Sequence, residues 1–295
     1  MATLRIRPER SATPCLILSA LFAERVGEHD VNRNGRINKI CILFRATDRA
    51  NQGTRISNNN QERWPCRANL AGSHGLPSPA TLTLVVIVAH IVIAVVAYLL
   101  GSIPTGYLLV RIFRRQDIRA VGSGNIGATN VLRMGGKGLG AATFLLDVLK
   151  GCAAVWIGGA MGAWLMPQVP LRDAEALAAL FAVLGHMFTC WLRFHGGKGV
   201  ATGFGVFLAA SPWAALAAIS VFFAVLALTR YVSLGSIAGA AAFLVFAWIF
   251  PPGPHPPAFF AVECIVALLI VAKHHGNIRR LIDGTESRIG AKKTA

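Results

Sequence analysis

Acidic side chains are scarce in this sequence: 13 Asp+Glu stand against 29 Lys+Arg in 295 residues, and only 14% of the chain is charged. That is too little charge to coat a soluble domain of this size. Six cysteines (Cys15, Cys41, Cys66, Cys152, Cys190, Cys264) lie scattered, with no CxxC and no Cys/His spacing that would hold a metal. Structural thiols are therefore expected, with no metal and no cofactor. An HExxH motif and a Ser-His-Asp nucleophile elbow are both missing, which removes the commonest hydrolase arrangements. The chain also lacks any RNA- or DNA-binding module, so its positive balance of +16 points to membrane surfaces and anionic substrates rather than nucleic acid.

What the chain has in quantity is apolar side chain. Hydrophobic residues make up 54% and the mean hydropathy is +0.55. This composition predicts an all-α polytopic membrane protein. Residues 1–80 differ from the rest: they are rich in Arg, Asn, Ser and Pro, with short apolar patches and 12 Lys+Arg against 6 Asp+Glu. A disordered extension is expected there, followed by a membrane domain over 81–295. Apolar runs in that domain predict seven spans, one of them short or re-entrant because only Gly199 to Ala210 precedes the break at Ser211-Pro212. Gly101-Ser102-Ile103-Pro104-Thr105-Gly106 breaks the first span, and such a break is tolerated where neighbouring protein satisfies the freed backbone groups. Alternating the spans from an outside N-terminus collects Arg111 to Lys137, Arg193 to Lys198, Arg230 and Lys273 to Lys293 on one face. The positive-inside rule makes that face cytoplasmic.

Three polar clusters interrupt the apolar pattern, all on that face. The first, Gly122 to Arg133, alternates Ser123, Asn125, Thr129 and Asn130 with glycine and small residues and ends on an arginine suited to bidentate phosphate contact. The second, His195-Gly196-Gly197-Lys198-Gly199-Val200-Ala201-Thr202, sets glycines and a lysine at the start of an apolar helix. Glycines let backbone N–H groups approach a phosphate, and the lysine adds a full charge. The third, Lys273 to Glu286, places His274, Asn277 and Arg280 at helical spacing, so a straight continuation of the last span aims them at one point. Behind these, Asp147 and Lys150 are three apart on one helical face and should pair, as structural support. His186, near the inner end of its helix, is placed to line the site.

With all three clusters in view, residues 82 to 288 resemble the bacterial acyl-phosphate-dependent glycerol-3-phosphate acyltransferases, seven-helix integral membrane enzymes of phospholipid synthesis. The order and spacing of Ser123-Gly124-Asn125 through Arg133, of Gly196-Gly197-Lys198-Gly199 through Thr202, and of His274, Asn277, Gly284 and Glu286 carry the resemblance. Residues 1–80 are not matched. The resemblance implies that Ser123, Arg133, Lys198, His274 and Asn277 are the catalytic set around glycerol 3-phosphate. It further implies that Gly127, Ala128, Thr129 and Asn130, with Asn125, meet the acyl phosphate, and that Gly196, Gly197, Gly199, Thr202 and Arg280 complete substrate binding. Glu286 would be structural, His274 or a substrate phosphate would be the base, and the enzyme would act as a monomer in the bacterial inner membrane. None of the eight histidines has Asp five residues on, so the His-x4-Asp acyltransferase class is excluded. The competing class is a transporter of a small phosphorylated anion, which would place polar groups near the bilayer midplane and show repeat symmetry.

Overall fold

The computed structural model describes residues 78–251 and 257–290. The expected N-terminal extension lies outside the described residues up to residue 77, and the first helix opens at Pro79. Regular structure among the described residues is wholly helical: α1 (Pro79–Ser102), α2 (Thr105–Arg114), α3 (Ala128–Gly135), α4 (Lys137–Leu165), α5 (Leu171–Met187), α6 (Val200–Ala210), α7 (Pro212–Thr229), α8 (Val232–Ile249), α9 (Pro257–Ala272) and α10 (His275–Ile282).

The spans are of three kinds. Among the described residues five stretches are long and apolar enough to cross a membrane, α1 with α2 counting as one, and α9 with α10 makes a sixth if their 52° bend belongs to a single span. Helix α6 is the short one. Its 11 residues reach about 16 Å at the usual helical rise, roughly half a bilayer core. Ser211 N–H caps it onto the Phe207 carbonyl at 2.7 Å, and Pro212 takes the first position of α7, where its missing N–H costs nothing.

Close helix crossings hold the site end of the bundle. A Cβ at Gly101 would stand 2.0 Å from the Ala182 carbonyl oxygen, and one at Gly205 would stand 2.0 Å from that of Val148, so α1 meets α5 and α6 meets α4 with backbones in contact. Small residues at such crossings are the usual means of helix association where lipid removes the hydrophobic drive. The core over these crossings is Ile93, Val155, Ala178, Ala182, Val183, Met187, Val206, Phe243 and Val266. Leu84, Ile91, Leu228 and Trp248, by contrast, project outward as a lipid-facing surface requires.

The break after Ser102 is flanked by buried residues, with the Ile103 side chain alone exposed. Gly101, Ser102 and Pro104 are buried, and the Ile103 carbonyl accepts from Lys150 Nζ at 2.9 Å. A lysine from α4 thus satisfies the group that the broken helix leaves open.

Candidate active site

Lys198 anchors the arrangement. Its ammonium donates to Asn277 Oδ1. The Asn277 amide is fixed from its other side, because Nδ2 donates to Glu286 Oε1 at 2.6 Å and a carboxylate only accepts. Glu286 is in turn held by Ser233 Oγ at 2.8 Å and by Arg280 Nε at 2.7 Å. The glycine loop, the α9–α10 corner and the chain after Gly284 therefore meet in one hydrogen-bonded row. Two further bonds strap the tail to the α7–α8 turn: Ile289 N–H to the Arg230 carbonyl at 2.9 Å, and Arg230 Nε to the Ile289 carbonyl at 3.1 Å.

This row has a definite electrostatic state. Burial pushes Glu286 up, but hydrogen bonds from Asn277, Ser233 and Arg280 outweigh it and the carboxyl sits below its ordinary range. Lys198 is pushed down to about 8, by burial first and then by the charges of Arg280 and Arg133, against the pull of Glu286. Arg133, on α3, is thereby close enough to act on Lys198. At neutral pH the site carries a charged lysine flanked by two arginines and a single carboxylate, a place made for a phosphate dianion.

The glycine loop is built differently from the expected cradle. Gly196 and Gly197 N–H groups donate to the Met187 and His186 carbonyls, at 3.2 and 3.0 Å, and so satisfy the end of α5 instead of facing a ligand. Gly199 adopts φ +81° as it turns the chain from the half-buried Lys198 into α6. Thr202 is fully buried in that turn, with no hydrogen-bond partner for its hydroxyl.

In the first cluster, Asn130 is the organiser. It is 2% exposed, its Oδ1 accepts from Ser123 N–H at 3.0 Å, and its Nδ2 reaches the carbonyls of Asn125 and Val121 at 2.9 and 3.1 Å. Asn125 Oδ1 accepts from Gly127 N–H at 2.8 Å, which sets the start of α3 with Ala128 and Thr129 in its first turn. Ser123 and Arg133 are left exposed on the surface this makes. The segment joins the rest through Val110, Ile118, Ile126, Val131 and Leu192, a small core that includes the turn just before the glycine loop.

His274 and Asn277 do not lie on a straight extension of the last span. The chain bends at residues 273–274, because His274 forms the corner: its carbonyl caps α10 through Asn277 N–H and Ile278 N–H, both at 2.8 Å. The bend buries His274 and Asn277 together while Arg280 stays exposed. His274 Nδ1 meets the Ile270 carbonyl at 2.7 Å, so Nδ1 carries the proton and Nε2 is the free nitrogen.

The family model for glycerol-3-phosphate acyltransferases matches residues 91–284, a range that holds all three clusters apart from Glu286. The chain belongs to that family. A glycerol-3-phosphate acyltransferase of Rhodopseudomonas palustris is 47% identical over 204 residues, covering 69% of this chain and 98% of the relative; one from Geobacter sulfurreducens is 46% identical over 202 residues, covering 68% and 98%. Among solved structures, the glycerol 3-phosphate form of PlsY (YgiH), an integral membrane glycerol 3-phosphate acyltransferase, is 36% identical with a TM-score of 0.61, covering 68% of this chain and 96% of that one. Its lysophosphatidic acid form is 35% identical with a TM-score of 0.60.

Sequence reasoning missed Ser233 and Thr105. Ser233 binds Glu286, and Thr105 Oγ1 donates to Asp147 Oδ1 at 2.5 Å. A hydroxyl at the first turn of a helix beside a chain break was the available signal for both.

Proposed function

We propose that this membrane acyltransferase moves a fatty acyl group from acyl phosphate to the 1-hydroxyl of glycerol 3-phosphate, releasing lysophosphatidic acid and inorganic phosphate. The observation that carries this is the Lys198–Asn277–Glu286 row, with Arg133 and Arg280 beside it, on a loop matched to the family. The glycerol hydroxyl oxygen attacks the acyl carbonyl, the carbon–oxygen bond to phosphate breaks, and the hydroxyl proton passes to a phosphate oxygen. Phosphate leaves readily, so the enzyme's work is to hold two dianions together and to stabilise the oxyanion. Direct transfer is supported by the side-chain pairing: among the described residues no serine, threonine or cysteine side chain is hydrogen-bonded to a histidine, the pairing that would activate a covalent nucleophile. Lys198 and the start of α6, with Ser123, Arg133, His274 and Asn277 around them, hold glycerol 3-phosphate, and the first turn of α3 meets the acyl phosphate.

The decisive assay uses purified protein and labelled glycerol 3-phosphate with acyl phosphate or an acyl thioester as donor. Labelled lysophosphatidic acid should form with acyl phosphate alone. Product from the thioester alone would overturn the donor assignment, and uptake of label into vesicles without product would favour a transporter.

The site faces the cytoplasm in this proposal, as the positive-inside reading of Arg111, Arg114, Arg115, Arg193 and Arg230 in the sequence supports. A cysteine placed at residue 120 or 285 should resist a membrane-impermeant thiol reagent in intact cells and react once the membrane is opened. Labelling in intact cells would reverse the orientation.

A further inference from the structure

Past α10 the chain turns back on itself. Gly284, at φ +71°, reverses the backbone, and the Thr285 and Glu286 N–H groups return to the Arg280 carbonyl at 2.8 and 3.1 Å. The segment that follows lies on the surface. Thr285, Ser287, Arg288, Ile289 and Gly290 are exposed, and Glu286 alone turns its side chain inward, to 6% exposure. Polar bonds to the α7–α8 turn hold this segment in place. Arg288 Nε donates to the Tyr231 hydroxyl at 2.9 Å, with its guanidinium 5.0 Å from the centre of that ring. Ile289 N–H donates to the Arg230 carbonyl at 2.9 Å, and Arg230 Nε donates to the Ile289 carbonyl at 3.1 Å. Arg230 makes both bonds from φ +64°, a left-handed conformation that residues with a Cβ rarely adopt.

What the segment delivers is a carboxylate. Glu286 Oε1 accepts from Asn277 and Ser233, and Oε2 accepts from Arg280, so one side chain fixes the amide that meets Lys198. Around that lysine stand Arg133 from α3, Arg280 from α10, His274 from the α9–α10 corner and Glu286 from the strap. Glu286 alone of these is acidic. We propose that residues 284–290 form a latch, and that Arg230, Tyr231 and Arg288 are positioning residues which close it and so hold the Glu286 carboxylate against Asn277, within reach of Lys198. The α7–α8 turn thereby becomes part of the frame of the site. This inference rests on the reading of Lys198 as the partner of glycerol 3-phosphate. An open latch leaves Lys198 beside two arginines without the carboxylate that attracts it, so its pKa must fall below its place near 8.

The double variant Arg288→Ala with Ile289→Pro opens the latch at two exposed positions and leaves Glu286 in the chain. Alanine removes the contacts to Tyr231, and proline removes the N–H that Arg230 accepts. We expect kcat/KM for glycerol 3-phosphate to fall about tenfold, the size of one lost hydrogen bond to a charged group, and its alkaline limb to move to lower pH. The direction discriminates, because loss of a nearby positive charge by itself moves a lysine's limb to higher pH. Glu286→Gln should move the limb the same way, and opening the latch in that background should move it no further, since both changes remove one interaction. Modification of Lys198 by an amine-reactive reagent, followed by peptide mass across pH, reads the same titration without turnover. A limb and modification midpoint unmoved in the double variant, or moved as far again in the glutamine background, would overturn the proposal. If the double variant does not fold, Tyr231→Phe decides: it keeps the ring and loses only the hydroxyl, and should give a smaller shift in the same direction, whereas no shift would remove the latch. If the wild-type protein acylates nothing, the functional assignment has failed, and the Lys198 modification midpoint still tests the latch.

Discussion

Lys198→Ala should lower kcat by about a hundredfold, the usual loss for one electrostatic donor in a reacting site, and raise KM for glycerol 3-phosphate as well. Two effects add. The alanine removes the charge beside the substrate phosphate, and it releases Asn277 Oδ1 from the donor that fixes it, although Glu286 still holds the other end of that amide. Binding should not vanish, because Arg133 and Arg280 keep the site positive. The lowered position of Lys198, about 8, adds a pH signature. A lysine whose pKa falls from its ordinary value is charged below that pKa and neutral above it. The free enzyme should therefore lose kcat/KM for glycerol 3-phosphate as pH rises through about 8. Lys198→Arg keeps its charge through this window, so its profile should lack that limb even if its plateau is lower. A limb that persists unchanged in the arginine variant would assign the titration to another group and remove Lys198 from the role of phosphate partner.

The membrane class, the spans and the polar clusters were legible in the sequence because each is a local pattern. Apolar run length fixes a span, and Ser211-Pro212 marks where α6 stops. The pairing of Asp147 with Lys150 was legible for the same reason, being three residues apart on one helix. Orientation of individual groups was not legible. Nothing local says that Gly196 and Gly197 spend their N–H groups on the end of α5, since their partners lie on a helix that a turn has folded back. The 52° corner at His274 was hidden too, because residues 273–282 keep a helical pattern on both sides of it. Asn130 illustrates the limit from the other direction. The sequence marks it as a polar residue in a substrate-like loop, and only the fold reveals that its amide is committed to the loop's own backbone.

Gly196→Ala should be the more damaging of the two loop glycine substitutions, and the reason is what each new Cβ would strike. At Gly196 it would stand 2.0 Å from the His186 carbonyl oxygen and 2.8 Å from the Met187 carbonyl carbon, both backbone atoms at the end of α5. Neither can rotate aside. The loop must lift, losing the bonds from Gly196 N–H to Met187 and from Gly197 N–H to His186, worth about 1 kcal/mol each. Lifting the loop also draws Lys198 away from Asn277, and a misplacement of about 1 Å in a positioned group costs on the order of a hundredfold in rate. At Gly197 the new Cβ would meet only the His186 ring, at 2.2 Å from Nε2. That ring can turn at the expense of its 3.0 Å bond to Lys150. Gly197→Ala should accordingly raise KM for glycerol 3-phosphate by about tenfold with kcat nearly kept, whereas Gly196→Ala should lose kcat as well and unfold at lower temperature. Thermal unfolding in detergent and steady-state kinetics with both substrates varied measure the two together. If Gly197→Ala proves the worse, backbone approach to the ligand governs this loop, and packing against α5 does not.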